Sequence, residues 1–320
     1  MLIAVWSPSY REETAAIAVM VAGMCCRQFA CSIAMLENYI HAGNLGTHLL
    51  GNRYDNVRQS LDRDFSGSYL PGEQFLRHVA HETGRAIVFN TLIQVDGNGL
   101  LFMPMNQSLS ENAYRYGMYQ VIDERIDTLM NQVDDVVVNL EACGNDTTVS
   151  LLHRADIVIV CLPATMAAFT SFYDRYRSML EKCFFVFYGT APKPEPLLSK
   201  IRQFIPRHTM RSCYLEITRL LRRHMEEGHV LDYLDRFGEE NTYSLQQVSE
   251  NAVEYGSERE RESVRTVRYV SEWLMQFEHP DAHGDSCLIA QRMLRRRVLP
   301  NEVAEWDLMR FRSPEALLGE

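Results

Sequence analysis

Residues 1–6 form a short apolar run with β-branched and aromatic members, the pattern of a buried strand. Ser7-Pro8 ends it, because proline donates no ladder hydrogen bond and turns its predecessor away from helix. From Thr14 the chain is Ala-rich and apolar, which predicts a buried helix. Residues 29–35 then read as a strand, residues 44–51 as a loop of small residues, and residues 55–64 and 72–82 as surface helices. Residues 86–89 fit either a strand or a helix continuation. Gly97 and Gly99 open a short strand that Pro104 closes.

A stricter rhythm follows. Residues 111–132 carry apolar positions at helical spacing, and residues 133–140 are a Val-rich strand of the kind buried on both faces of a parallel sheet. A loop and helix (141–154), a buried strand (156–163), a helix (166–182) and another strand (183–189) continue it. Such alternation predicts right-handed βαβ units in one sheet: an α/β, doubly wound, mostly parallel fold flanked by helices. A helix over 193–204 and a last strand over 209–215 complete it, and from residue 216 the chain reads as helical. Residues 258–276 set dense charge against a stripe of Val264, Val267, Val270, Trp273 and Leu274, an amphipathic helix able to cover the domain or dock a partner. The division expected is an α/β domain over 1–255 and a helical C-terminal extension over 256–320.

A strand, a loop and a helix at the start of an α/β chain is where a phosphate-binding loop belongs. That loop needs glycines, so that backbone N–H groups approach phosphate oxygens, and a lysine to reach the terminal phosphates. The segment Ser9-Tyr10-Arg11-Glu12-Glu13 has neither. Two carboxylates at the helix start suit a dipole that holds no anion. Arg11 as a phosphate contact and Thr14 as a magnesium hydroxyl are the substitutes available, with like-charge repulsion from Glu12 and Glu13 against them.

Three stretches carry a resemblance. Ile3-Ala4-Val5-Trp6-Ser7-Pro8, Asp135-Val136-Val137-Val138-Asn139-Leu140 and Ala155-Asp156-Ile157-Val158-Ile159-Val160-Cys161-Leu162-Pro163 resemble the ParA/MinD-like deviant-Walker ATPases. Asn44-Leu45, Leu49-Leu50-Gly51, residues 227–234 and Asn241-Thr242-Tyr243 are similar to segments of the TadZ/CpaE-like branch, so the resemblance spans roughly residues 1 to 255. It implies a P-loop NTPase-like fold, a homodimer, and a role at a cell pole assembling a Tad-type pilus beside a secretion ATPase. It also implies an aspartate where Asn139 stands, and a small-residue switch loop where residues 141–146 stand. An asparagine cannot supply the carboxylate that organises metal-bound water. The expectation is a pseudo-ATPase: no catalytic residue, no cofactor beyond a vestigial ATP/Mg loop of Ser9, Arg11, Thr14 and Asn139, and function through protein contacts. An atypical ATP-dependent switch, or a DNA-partition or mobile-element ATPase, is the alternative.

Composition bounds the rest. At 320 residues, 46% hydrophobic and 23% charged, the chain has material for a sizeable core. No apolar run approaches the roughly 18 residues that span a bilayer, and no basic segment precedes residues 15–24, so a cytoplasmic chain is expected. The net charge of -10 opposes indiscriminate duplex binding, leaving local patches: Arg219, Arg222 and Arg223 on one helical face, and the run Arg295-Arg296-Arg297. Intramolecular pairing with carboxylates is the expectation for these arginines. The eight cysteines form no C-x-x-C pair and read as buried thiols. His78 and His81 have metal-ligand spacing without a completing set, so no metal site is expected. Asp134 and Asp135 read as solvated residues at a strand edge, and Asp156 as a strand cap.

Overall fold

The computed structural model describes residues 1–9, 12–38, 44–51, 54, 92–95, 97, 99–103, 111–142, 145–190, 195–204, 211–238 and 258–278. In chain order these form β1 (Leu2–Trp6), α1 (Glu12–Phe29), β2 (Ile33–Asn38), α2 (Asn44–Leu50), β3 (Ile93–Gln94), β4 (Leu100–Met103), α3 (Glu111–Met130) and β5 (Asp135–Leu140). There follow α4 (Asp146–Arg154), β6 (Ile157–Pro163), α5 (Met166–Tyr176), a 3-10 turn (Arg177–Lys182), β7 (Cys183–Gly189) and α6 (Glu195–Phe204). β8 (Arg211–Glu216), α7 (Arg219–Glu227), α8 (Val230–Gly238) and α9 (Glu258–Glu278) complete the described chain. The strands make one eight-stranded sheet in the order β3-β4-β2-β5-β1-β6-β7-β8, parallel except for the two-residue edge strand β3.

Alternation along each strand sorts the helices into two layers. Ile3, Val5, Val137, Ile159 and Val186 point to the side of α1, α2, α7, α8 and α9. Leu2, Ala4, Trp6, Val136, Val138 and Val160 point to the side of α3, α4, α5 and α6. Helix α1 lies against the sheet and is covered in turn by α2, α8 and α9. This explains a helix without a polar stripe: buried all round, it has no solvent face to mark. Gly23 permits the close approach of α8, since a Cβ there would meet Leu231 Cδ2 at 2.5 Å.

The apolar stripe of α9, with Val264, Val267, Val270, Leu274 and Met275, lies in the same core as α1. Its polar residues seal the sheet edge. In a parallel ladder alternate residues of an edge strand point away from their neighbour. The Ser263 hydroxyl donates to Glu216 O at 2.9 Å and the Thr266 hydroxyl to Tyr214 O at 3.2 Å, occupying two such carbonyls of β8. Of the residues read as an amphipathic stripe, α9 spends all on the chain's own core except part of Trp273, which packs on Phe184 with ring centroids 4.8 Å apart.

Four local expectations are corrected. Residues 44–50 are helix rather than loop, because the Glu37 carboxylate accepts the Leu45 N–H at 3.0 Å and Gly46 lies against the Tyr54 ring. The second strand begins at Ile33, since α1 runs on to Phe29 and Ala30, with φ 51, turns the chain out of it. The helix read over 166–182 gives way to 3-10 geometry at Arg177. Asp135 is fully buried, 3.3 Å from the Met1 amino group, and Asp134 accepts from both the N–H and the hydroxyl of Ser32. Asp156 does cap a strand start, accepting the Leu2 N–H at 2.8 Å.

Candidate functional site

In an open α/β sheet a ligand crevice forms outside the carboxyl ends of neighbouring strands whose connections leave to opposite faces. Strands β1 and β5 are such a pair: α1 leaves β1 toward one layer and α4 leaves β5 toward the other. The register sets Glu37, Asn139, Val5 and Ile159 in one row across β2, β5, β1 and β6 on the α1 side. The crevice therefore lies between the β1–α1 turn and the loop after Leu140.

The two loops are tied together. The Trp6 indole N–H donates to Glu141 O at 3.1 Å, while its ring meets Tyr176 edge-on with centroids 4.8 Å apart. A buried indole needs one such acceptor, and here that need fixes the loop after β5. The Asn145 amide donates to the Glu141 carboxylate at 2.7 Å and, as the N-cap of α4, its Oδ1 accepts the Thr148 N–H at 2.7 Å. Asn38 reaches Thr148 Oγ1 at 3.4 Å from the neighbouring strand.

Of the residues singled out from the sequence, Ser9 is exposed in the turn, Thr14 is buried in the first turn of α1, Asn139 is buried near the end of β5, and Arg11 lies outside the described residues. Three oxygens around this crevice have no hydrogen-bond partner among the described residues: Ser7 Oγ, Thr14 Oγ1 and Asn139 Oδ1, in residues only 2%, 5% and 4% exposed. Glu13 stands close enough to the end of β6 to act on Cys161, whose thiol is pushed well up, chiefly by burial, then by Cys213 and Glu13.

The residue types of this turn differ from those of a glycine- and lysine-bearing phosphate loop. The turn offers no glycine, the hydroxyls of Ser7 and Thr14 are buried while that of Ser9 is exposed, and Glu13 adds negative charge where phosphate would add more. The chain has three lysines, Lys182, Lys193 and Lys200. Lys182 precedes β7, at the amino end of the sheet, and donates to His153 O and Ala155 O at 2.8 and 3.2 Å; its pKa is lowered by burial. Lys200 lies in α6, on the layer opposite α1. His78, His81 and Arg295-Arg296-Arg297 lie outside the described residues, and among the described residues no group of acids, histidines and cysteines is placed to hold a metal ion. What the sequence reading missed was the Trp6–Glu141–Asn145 chain; the one advance signal was an indole at the end of a buried strand.

No family model matches the chain, and no curated protein matches its sequence. Solved structures do match its fold. A putative plasmid partition protein from Borrelia burgdorferi B31, bound to AMPPNP, gives a TM-score of 0.55 at 13% identity, over 86% of this chain and 98% of that one. The septum site-determining protein MinD of Pyrococcus horikoshii, complexed with Mg-ADP, gives 0.55 at 9% identity over 88% and 99%. A ParA family ATPase from Chlorobium tepidum TLS gives 0.55 at 8% identity over 85% and 98%. The protein thus has the α/β, P-loop NTPase-like fold of ParA and MinD proteins, as the strand alternation and the resemblance had led us to expect. Among the described residues no helix is long and apolar enough to cross a membrane.

Proposed function

We propose that this protein is a non-catalytic scaffold on the ParA/MinD fold, a pseudo-ATPase that works through protein contacts. In the TadZ-like form of this reading it organises a pilus or secretion assembly, as a homodimer in the cytoplasm, held at a cell pole by its partners. One observation carries the proposal. At the β1–α1 turn, where this fold presents its phosphate loop, the chain has no glycine, no lysine and two adjacent glutamates, and the hydroxyls of Ser7 and Thr14 are buried.

The physical logic is that the body does not depend on the loop. Sheet and helices are held by apolar burial, so a loop without phosphate chemistry leaves the core intact. Asn139 in place of a carboxylate is consistent with the same loss. Isothermal titration with ATP and magnesium, alongside gel filtration with and without the nucleotide, tests the reading. No heat of binding and an unchanged elution volume are expected; micromolar affinity would end it.

A second reading, an atypical nucleotide-dependent switch using Arg11 and Thr14, is favoured by the three buried oxygens without partners. Buried polar atoms usually find partners, and a ligand or ordered water would supply them. Turnover lost on Arg11→Ala would support this reading, and an absence of turnover would remove it.

A further inference from the structure

Four residues on the α4 side of the crevice close a ring of hydrogen bonds. The Glu141 N–H donates to Asn38 O at 3.2 Å, and the Asn38 amide donates to Thr148 Oγ1 at 3.4 Å. The Thr148 N–H donates to Asn145 Oδ1, and the Asn145 amide returns to the Glu141 carboxylate, both at 2.7 Å. The members come from separate elements: Asn38 ends β2, Glu141 follows β5, and Asn145 and Thr148 belong to the start of α4. Alternation along β2 turns Asn38 to this side, since Met35 lies in the core beneath α1 and Leu36 in the opposite one.

Asn38, Glu141 and Thr148 are buried, so opening any one bond leaves a polar group away from water, and in a closed ring each bond holds the geometry of the next. A fifth hydrogen bond anchors the ring. The Trp6 indole N–H donates to Glu141 O at 3.1 Å, and Phe172 and Tyr176 of α5 stand edge-on to the indole with centroids 6.4 and 4.8 Å away. Glu141 is thereby fixed through its N–H to β2, through its carbonyl to β1 and through its carboxylate to α4. The far end of α4 is held as well, by Lys182 donating to His153 O and Ala155 O. The oxygens without a partner among the described residues lie elsewhere, on Ser7 in the β1–α1 turn, Thr14 in α1 and Asn139 in the row of β5 that faces α1.

We propose that this ring is a ligand-independent clasp. It holds the two described ends of the loop after β5, at Glu141 and Asn145, in one arrangement, so the crevice has a permanent wall on the α4 side. A loop that a ligand switches is ordered by contacts to that ligand and released without them. Glu141 and Asn145 are ordered by contacts within the chain. A surface formed in advance also spares a partner the entropy of ordering it. The inference rests on the scaffold reading only for the use made of that surface, and the clasp itself is independent of nucleotide.

Asn145→Asp separates the clasp from the helix cap. The aspartate still accepts the Thr148 N–H and suits the start of α4, but it turns a carboxylate on Glu141 in place of a donor. Hydrogen exchange of the full chain, read by mass spectrometry with and without ATP and magnesium, compares the Glu141 amide, which the ring uses, with the amides inside β5. In the wild type the Glu141 amide is expected to be protected, and equally so in both conditions. Asn145→Asp is expected to speed its exchange about tenfold and to leave β5 unchanged. The reversed pair Glu141→Gln/Asn145→Asp, in which the amide donates to the carboxylate from the other side, is expected to restore it. Protection of Glu141 that appears only with ATP and magnesium, an Asn145→Asp variant that exchanges like the wild type, or no recovery in the reversed pair would each overturn the proposal. Micromolar ATP binding with Glu141 exchange unchanged would end the scaffold reading and leave the clasp standing.

Discussion

Gly228 offers a quantitative test of how α7 is joined to α2. It follows the last turn of α7 with φ 73, and the His229 N–H returns to His224 O at 2.8 Å. Its Cα surface is pressed against the end of α2: a Cβ there would lie 2.1 Å from Gly51 Cα, 2.3 Å from Thr47 O and 2.5 Å from Gly51 N. All three are backbone atoms, so no rotamer change relieves the clash. In Gly228→Ala the left-handed backbone costs about 1–2 kcal/mol, and the overpacking about 1–3 kcal/mol more. Forcing the helices apart would also strain the bond between His48 Nδ1 and Met225 O, now 2.8 Å in a buried site. The expected loss is therefore about 2–5 kcal/mol, a large part of a typical total of about 5–15. Urea unfolding followed by circular dichroism reads it as a fall in midpoint at constant slope. Gly97→Ala is the control, since a Cβ there meets nothing within 4 Å. If the two variants unfold within about 0.5 kcal/mol of each other, the α2–α7 crossing is not as close as described.

Three further outcomes are expected. Tyr233→Phe removes a 2.5 Å hydrogen bond to the buried Glu260 carboxylate and should cost about 1–3 kcal/mol, checked by chemical denaturation. Thr14→Val replaces a buried hydroxyl that has no partner among the described residues, so stability should be unchanged or raised by about 1 kcal/mol; a loss of that size would reveal a partner for Thr14. Burial pushes the Cys183 thiol from an ordinary 9.0 up to about 12, and raises Cys161 and Cys213 as well. In the unfolded chain these thiols ionise first, so their contribution to stability holds below 9.0 and is lost as pH rises toward 12, which thermal melts across that window would show. The same burial should keep Cys161 and Cys183 unlabelled by iodoacetamide in the native protein.

Legibility in the sequence followed the range of the forces involved. The strands β1, β5, β6 and β7 were readable because burial on both faces leaves an unbroken apolar run. The stripe of α9 was equally plain, since one face is buried and the other wet. Helix α2 was not, because what starts it is Glu37, on another element, and the glycine that looked like a loop signal is there to admit the Tyr54 ring. Asp135 was misread for the same reason: a carboxylate beside a strand looks solvated until its partner across the sheet is known. At the crevice, the departure of the turn from a phosphate loop was legible residue by residue. That Ser7, Thr14 and Asn139 would be buried with oxygens to spare was not, because it depends on how α1 settles on the sheet.

That settling also bears on how the turn came to tolerate two glutamates. Helix α1 is held along its length: Ser271 Oγ on α9 reaches Val21 O at 3.4 Å, Gln28 bonds Glu272 at 3.1 Å, and Arg27 pairs with Asp235 on α8. Between these ties almost every residue from Ala15 to Cys26 is buried and apolar. At about 25 cal/mol per Å² of apolar area removed from water, this packing outweighs anything the first turn contributes. Acidic residues there are moreover favourable to the helix itself, because they face its positive pole, whereas a phosphate loop draws its grip from leaving that pole free for the ligand. The two helices then differ in what they do with the same field. Helix α1 opens on Glu12 and Glu13 in sequence, whereas α7 opens on arginines, and the carboxylate brought to its positive end comes from Glu260, which accepts from the capping Thr218 hydroxyl.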